Sequence, residues 1–182
     1  MADVNQLITD FYRVATTREF ARDFNFRVLS INTGGASTVT FDENDLVYVK
    51  TASLPGRNIT NVQVPYMGLK FNVPGSVEYP GSESYEMTFY ADANSQIRQK
   101  FEQWSTDIFD DSNSTGNYFS PKQTAIIDLV QLDNQLNKVA QYQLVGVSVR
   151  NVGALNYTIA EGTGNIVEFT VTVSYHYWRK TD

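Results

Sequence analysis

LPGRNITNVQVPYMGLKFNVPGSVEYPGSESYEMTFYADANSQIRQKFEQW, residues 54–104, holds the clearest run of local signals in the chain. Two extended runs, 60–65 and 69–73, flank a Tyr66-Met67-Gly68 turn. Pro74-Gly75 and Pro80-Gly81 then mark a loop over 73–84, because Pro-Gly pairs favour chain reversal. Residues 85–90 alternate, as a strand with one buried face must. The polar stretch 92–95 opens a helix that carries Ile97, Phe101, Trp104 and Ile108 at spacings of four, three and four.

Outward from this stretch, the C-terminal residues 166–178 form the longest alternating run. Val167, Phe169, Val171, Val173, Tyr175 and Tyr177 take one face, and Glu168, Thr170, Thr172, Ser174 and His176 the other. Such a strand suits an antiparallel sheet with one wet side, and its length implies a bend or a bulge. Further strands are expected near 26–31, 37–41, 46–50, 124–132 and 140–150, with a Gly34-Gly35 turn and a polar break at 42–45. Near the N-terminus, Val4, Leu7, Ile8, Phe11 and Tyr12 share a helical stripe, with Asp3 and Gln6 placed as a capping pair. A helix this short needs something to dock on, either its own core or a neighbouring subunit. Residues 110–120, rich in Asp, Asn, Ser and Gly, should be an exposed loop. The sum is a mainly β chain: an antiparallel β-sandwich or barrel with one flanking α-helix and a short N-terminal helix.

With 182 residues, the chain is expected to form one domain over 1–182. It contains no cysteine, which excludes disulfides and thiolate metal sites. No secretory signal and no membrane-spanning apolar run are evident, so folding and assembly in a cytoplasm are expected. A net charge of −6 argues against gripping nucleic acid by phosphate neutralisation, but not against letting it pass. The same charge also serves solubility.

A search for chemistry turns up little. The single His176 cannot build a histidine metal cluster, and no serine sits in a nucleophile elbow. Glu83 and Glu86, three apart on an extended chain, point to opposite faces. The 111–116 run resembles the start of a calcium loop, but its twelfth position is Lys122 where a Glu is required. Gly162-Thr163-Gly164 lacks a third glycine and precedes a strand, which suits a hairpin turn better than a dinucleotide loop. Asn58-Ile59-Thr60 and Asn156-Tyr157-Thr158 match glycosylation acceptors, without meaning in a chain that is not secreted. No catalytic residue, metal or cofactor is expected, and the chain does not read as an enzyme.

Several pieces recur together in a known order. They are Phe20-Ala21-Arg22, Leu54-Pro55-Gly56, Val64-Pro65, Met67 with Lys70 and Asn72-Val73, Gly75, and Arg98-Gln99-Lys100-Phe101 ahead of Trp104. Asn151-Val152-Gly153 and the ending 169–173 through Tyr177-Trp178 complete the series. In this order and spacing the chain resembles the tail tube proteins of contractile-tailed, T-even type bacteriophages, over most of its length. No single piece is specific; the collinear order carries the resemblance. The insertions near 34–45 and 110–120 depart from the family pattern.

The resemblance implies hexameric rings stacked into a hollow tube, with strands from each subunit closing one barrel around a bore through which DNA passes without specific binding. It also implies a tail sheath, a baseplate and a tail terminator as partners. Residues expected to line the bore are Glu86, Thr88 and Tyr90, with Asn61 and Gln63; the alternative face is Glu168, Thr170, Thr172 and Ser174. Pro74, Gly75, Glu78, Pro80 and Gly81 of the 73–84 loop, with Arg98 and Trp104 of the helix, are the expected inter-ring and inter-subunit contacts. The 110–120 loop and Lys122 are candidates to face the sheath. Related readings on the same fold are a secretion or injection-system tube subunit and a baseplate tube initiator. A different class, a monomeric β-barrel around a small apolar ligand, would turn its apolar face toward a cavity.

Overall fold

The computed structural model describes residues 8–159, 162 and 164–181. In chain order its elements begin with α1 (Ile8–Ala15), β1 (Phe26–Thr33), α2 (Glu43–Leu46), β2 (Val49–Thr51), β3 (Asn58–Tyr66), β4 (Leu69–Glu78) and β5 (Tyr85–Tyr90). They continue with α3 (Gln96–Ile108), β6 (Phe109–Asp110), β7 (Thr115–Gly116), β8 (Ala125–Leu132), β9 (Lys138–Val145), β10 (Ser148–Val152), β11 (Glu168–Ser174) and β12 (Tyr177–Thr181). The capping pair at Asp3 and Gln6, the stripe residues Val4 and Leu7, and Thr163 of the expected Gly-Thr-Gly turn lie outside the described residues.

Two antiparallel four-stranded sheets form the body. The first has the order β1-β8-β9-β12 and the second β10-β11-β5-β2. Tyr85, Met87 and Phe89 of β5 sit opposite Val173, Val171 and Phe169 of β11, all buried. Ile31, Ile127 and Leu144 continue one core cluster from the first sheet. This is the alternating arithmetic of a sandwich, in which each strand gives every second residue to the interior.

The helix α3 closes one end of the core. Ile97, Phe101 and Trp104 are buried on it, and Phe101 packs against Phe41 and Phe89 at centroid distances of 4.7 and 5.1 Å. Asp92 caps the helix, accepting from the backbone N–H of Gln96 at 2.9 Å and of Ile97 at 3.3 Å.

The long C-terminal run does more than bend. It splits at 175–176 into β11 and β12, which belong to different sheets. The expected strand 140–150 splits likewise into β9 and β10 around Gly146. The two breaks lie side by side. Gly146 has φ of 72°, a Cβ there would meet His176 Nδ1 at 2.2 Å, and Ala125 O accepts from the N–H groups of Gly146 and Val147. A β-ribbon thus turns a corner from one sheet to the other, with glycine at the point where a side chain would be strained and crowded.

Other expectations shift locally. Residues 37–41 form no strand. The polar break at 42–45 is a capped helical turn: Asp42 accepts from the N–H groups of Asn44 and Asp45, and Asp45 Oδ2 accepts from Asp42 N–H at 2.8 Å. The expected strand 46–50 is accordingly shortened to β2. Asp45 is buried, and Lys100 of α3 reaches its carboxylate. The 110–120 loop is largely exposed and contains the short β6–β7 pair.

Candidate functional site

Strand β5 points Glu86, Thr88 and Tyr90 away from the core. Register puts Glu86 opposite Thr172, Thr88 opposite Thr170, and Tyr90 opposite Glu168. The two candidate lining faces, which sequence alternation left as alternatives, are therefore one continuous surface on the second sheet. Thr88 and Thr170 hydroxyls lie 3.3 Å apart. Lys50 on β2 pairs with Glu168 and lies over the Tyr90 ring, 5.7 Å from its centroid. The Glu168 carboxylate, through its hydrogen bond to the Lys50 ammonium, raises the lysine pKa above its ordinary value. Glu86 makes no ion pair among the described residues, so it is the uncompensated charge of the Glu86–Glu168–Lys50 group.

Asn61 and Gln63 do not belong to that face. They lie on the β3–β4 hairpin, which pairs with neither large sheet. Val62, Val64 and Tyr66 of β3 stand opposite Val73, Phe71 and Leu69 of β4. Asn61, Gln63 and Pro65 stand opposite Pro74, Asn72 and Lys70. One face of the ribbon is therefore apolar and the other mainly polar. Every residue of β4 is exposed, and so is every residue of β3 except Thr60. Met67 and Gly68 both have positive φ at its tip, as a tight two-residue hairpin turn requires.

The 73–84 segment is not the loop that its Pro-Gly pairs suggest. β4 runs on through Pro74 and Gly75 to Glu78, with a bulge where the Thr60 hydroxyl donates to Ser76 O at 3.1 Å and accepts from Ser76 N–H at 3.1 Å. A Cβ on Gly75 would lie 2.9 Å from Val62 Cγ2 and 3.0 Å from Thr60 O, so glycine lets the strands approach there. The chain reverses only at Pro80-Gly81, where Ser82 N–H donates to Tyr79 O at 3.1 Å and Gly81 has φ of 75°. Pro80 and Gly81 border a small cleft shared with Leu54, Pro55, Tyr85 and Tyr175. In it the Tyr85 hydroxyl donates to Ser53 O at 2.5 Å, and burial pushes its pKa up to about 12.

Two expected contact residues are engaged within the copy. Trp104 is 0% exposed and stacks on Phe101 at 6.4 Å, so it supports α3 from inside and offers no surface. Arg98 donates to Gly153 O, pairs with Glu102 at 2.7 Å and lies 5.8 Å over the Phe169 ring. Its guanidinium holds α3 to the end of β10. The Trp104 assignment is corrected by periodicity, since the stripe that makes the helix amphipathic also buries it; Arg98 lies off that stripe and stays partly exposed.

Helix α1 buries no residue, and its Ile8, Phe11 and Tyr12 are exposed; Phe11 stacks on Phe20 at 6.0 Å. The described part of its stripe docks on no core of the same copy. Sequence reading had not distinguished the hairpin's two faces or its lack of cover. Among the described residues no group of three or more His, Asp or Glu gathers as a metal site, and no helix is long and apolar enough to cross a membrane.

A model of the phage tail tube protein family matches residues 15–181. A search of curated protein sequences returns no match. Among solved structures, a chain of the anti-feeding prophage baseplate is 14% identical with a TM-score of 0.60, covering 90% of this chain and 97% of that one. A chain of the sheath–tube complex of an extracellular contractile injection system, in its extended state, is 10% identical with a TM-score of 0.55, covering 93% and 96%. A chain of the tube-terminating cap of the anti-feeding prophage is 9% identical with a TM-score of 0.57, covering 90% and 92%. At such identities the likeness is one of fold.

Proposed function

The chain belongs to the phage tail tube protein family, and from that premise we propose that it is the repeating subunit of a contractile tail's tube, closing into six-membered rings that stack around a channel. The carrying observation is the β3–β4 ribbon, nine and ten residues long and exposed along both faces. A two-stranded hairpin is marginal by itself in water, so a surface of this kind requires a partner. The unpaired margins of the two sheets supply the second half of the argument. β2 and β10 end the second sheet, and their free edges suit pairing between copies into a larger, closed barrel.

In this reading the Glu86–Thr88–Tyr90 face, joined to Thr170, Thr172 and Ser174, lines the bore. Hydroxyl groups solvate a passing polyanion without holding it, and one uncompensated Glu86 per copy repels phosphate. Asn61 and Gln63 then serve the polar side of the hairpin, and Pro74, Gly75, Glu78, Pro80 and Gly81 belong to inter-ring contacts around its base. The 110–120 loop and Lys122 turn toward the sheath. The whole acts as a structural element without catalysis, assembled in a host cytoplasm, meeting baseplate and terminator proteins at its ends.

A second reading has an observation of its own. The Lys50–Glu168 pair leaves the proposed bore face with one net negative charge, Glu86, per copy, and one similar solved structure comes from an extracellular contractile injection system. A tube carrying protein rather than DNA, or the tube-initiating ring of such a particle, would also suit that surface. Size-exclusion chromatography with negative-stain microscopy across a concentration series tests both readings. Rings or tubes that grow with concentration are expected. A compact monomer at the highest concentration, carrying a bound apolar ligand, would instead favour a small-molecule carrier.

A further inference from the structure

The β3–β4 hairpin pairs with neither large sheet, so its direction is set where its two legs leave the body. That root is stitched on both sides. On the leg before β3, the Tyr85 hydroxyl donates to Ser53 O at 2.5 Å and accepts from Ser53 N–H at 3.2 Å. On the leg after β4, Tyr175 N–H donates to Ser82 O at 2.8 Å, and the Arg150 guanidinium donates to Glu83 O at 2.6 Å. Each of these bonds ties one leg to the body. Trp178 of β12 holds both legs at once. Its indole Nε1–H donates to Gly56 O at 2.8 Å, and its ring meets Tyr79 edge-on at 6.4 Å. Tyr142 of β9 meets the same indole at 5.6 Å, and all three rings pack against the core.

The leverage of this contact follows from the hairpin's length. Nine paired residues reach about 30 Å, so a tilt of about 10° at the root carries the tip about 5 Å. A gap of about 1 Å already forfeits up to half of a van der Waals contact, so the apolar face of Val62, Val64, Phe71 and Val73 seats on a partner only from a narrow range of directions. We propose that Trp178 is the positioning residue that aims the hairpin and keeps it preformed for another copy. An indole suits the task because it fills apolar space with its body and offers a single directed donor at its rim. This inference rests on the tube reading for the hairpin's place between copies, and adds which side chain fixes its direction.

The chain contains no cysteine, so thiols introduced as Gln63→Cys on the hairpin and Gln99→Cys on α3, both exposed positions, are its only sites for nitroxide labels. The distance distribution between them, measured by pulsed electron spin resonance on dilute single copies, reports the hairpin's direction. Trp178→Phe keeps a ring and removes the N–H. Tyr79→Leu removes the ring contact on the other leg and leaves Trp178 in place. Val171→Ala thins the core in the middle of the second sheet and serves as the destabilised control. A distribution about twofold wider is expected for Trp178→Phe and for Tyr79→Leu, with Val171→Ala as narrow as the parent. Twofold widening in each of two tilt directions leaves about a quarter of hairpins correctly aimed, so the concentration needed for assembly, read by sedimentation, should rise about fourfold. An unchanged width in both root variants, or equal widening in Val171→Ala, would overturn the role of Trp178 and leave the tube reading standing. Widening without any change in assembly would overturn the link between the hairpin's aim and its partner. A parent chain that stays monomeric at every concentration would remove the tube reading, whatever the widths show.

Discussion

Replacing Phe71 by Thr separates assembly from folding. Phe71 is 49% exposed in the single copy, so its aromatic side chain, about 200 Å² when free, leaves roughly 100 Å² to be covered by a partner. At about 25 cal/mol per Å² that cover is worth about 2.5 kcal/mol for each hairpin seated. Threonine restores little of it but keeps the strand preference of the site. With every 1.4 kcal/mol a factor of ten, the concentration needed for assembly should rise by roughly 50-fold. Because the lost contact lies between copies, the melting of the isolated subunit should move by no more than about 0.5 kcal/mol. A concentration series read by sedimentation velocity, beside thermal melts of the monomer, measures both quantities. Unchanged assembly, or a subunit that unfolds with the substitution, would refute the assignment of this face to a partner.

Three further outcomes follow from particular residues. In the proposed DNA-conducting tube, Glu86→Lys should fold normally yet slow DNA release from assembled particles, because a cation replaces the uncompensated carboxylate of the proposed bore face; unaltered infectivity would place that face elsewhere. Gly146→Ala should cost about 1–2 kcal/mol for a side chain at positive φ and more for the crowding of its Cβ against His176, visible as a lower melting temperature. Gly146→Asn, though it tolerates that backbone better, keeps the Cβ crowding against His176 and should not recover the stability. Tyr85, neutral and buried with its pKa at about 12 against an ordinary value near 10, adds stability that is complete below pH 10 and fades as pH rises through 12. The loss is on the order of 2–3 kcal/mol. Tyr85→Phe should flatten this alkaline decline in melting temperature.

How much of this was legible depended on whether a local pattern has one cause or two. β5 and α3 were readable because their spacings admit one solution: Tyr85, Met87 and Phe89 fit period two, and Ile97, Phe101 and Trp104 fit the helix. The corners were hidden because alternation continues through them, Tyr175 still being buried after Val173. The signal that could have exposed one of them was the lone Gly146 between Val145 and Val147, inside an apolar run. Pro74-Gly75 misled because the same dipeptide serves a turn and a bulge, and the clasp from Thr60 to Ser76 decides between them.

The site divides along the same line. The outward face of β5 followed from alternation, but its union with Thr170 and Thr172 needed strand register, which sequence does not carry. Trp104 was offered as a contact residue because an aromatic on a helical stripe has the same signature whether it anchors its own core or a neighbour. The hairpin shows the converse. Val62, Val64 and Tyr66 alternate as any half-buried strand would, and only coordinates reveal that nothing in the same copy covers them.

Cryo-electron microscopy of the assembled protein, carried to side-chain detail at the channel wall, tests the central claim most directly. Closed rings should appear, with Glu86, Thr88 and Thr170 of every copy facing the channel and strand edges of neighbouring copies joined. A channel walled by the β1-β8-β9-β12 sheet or by α3, or particles in which each copy stands alone with its hairpin uncovered, would contradict it.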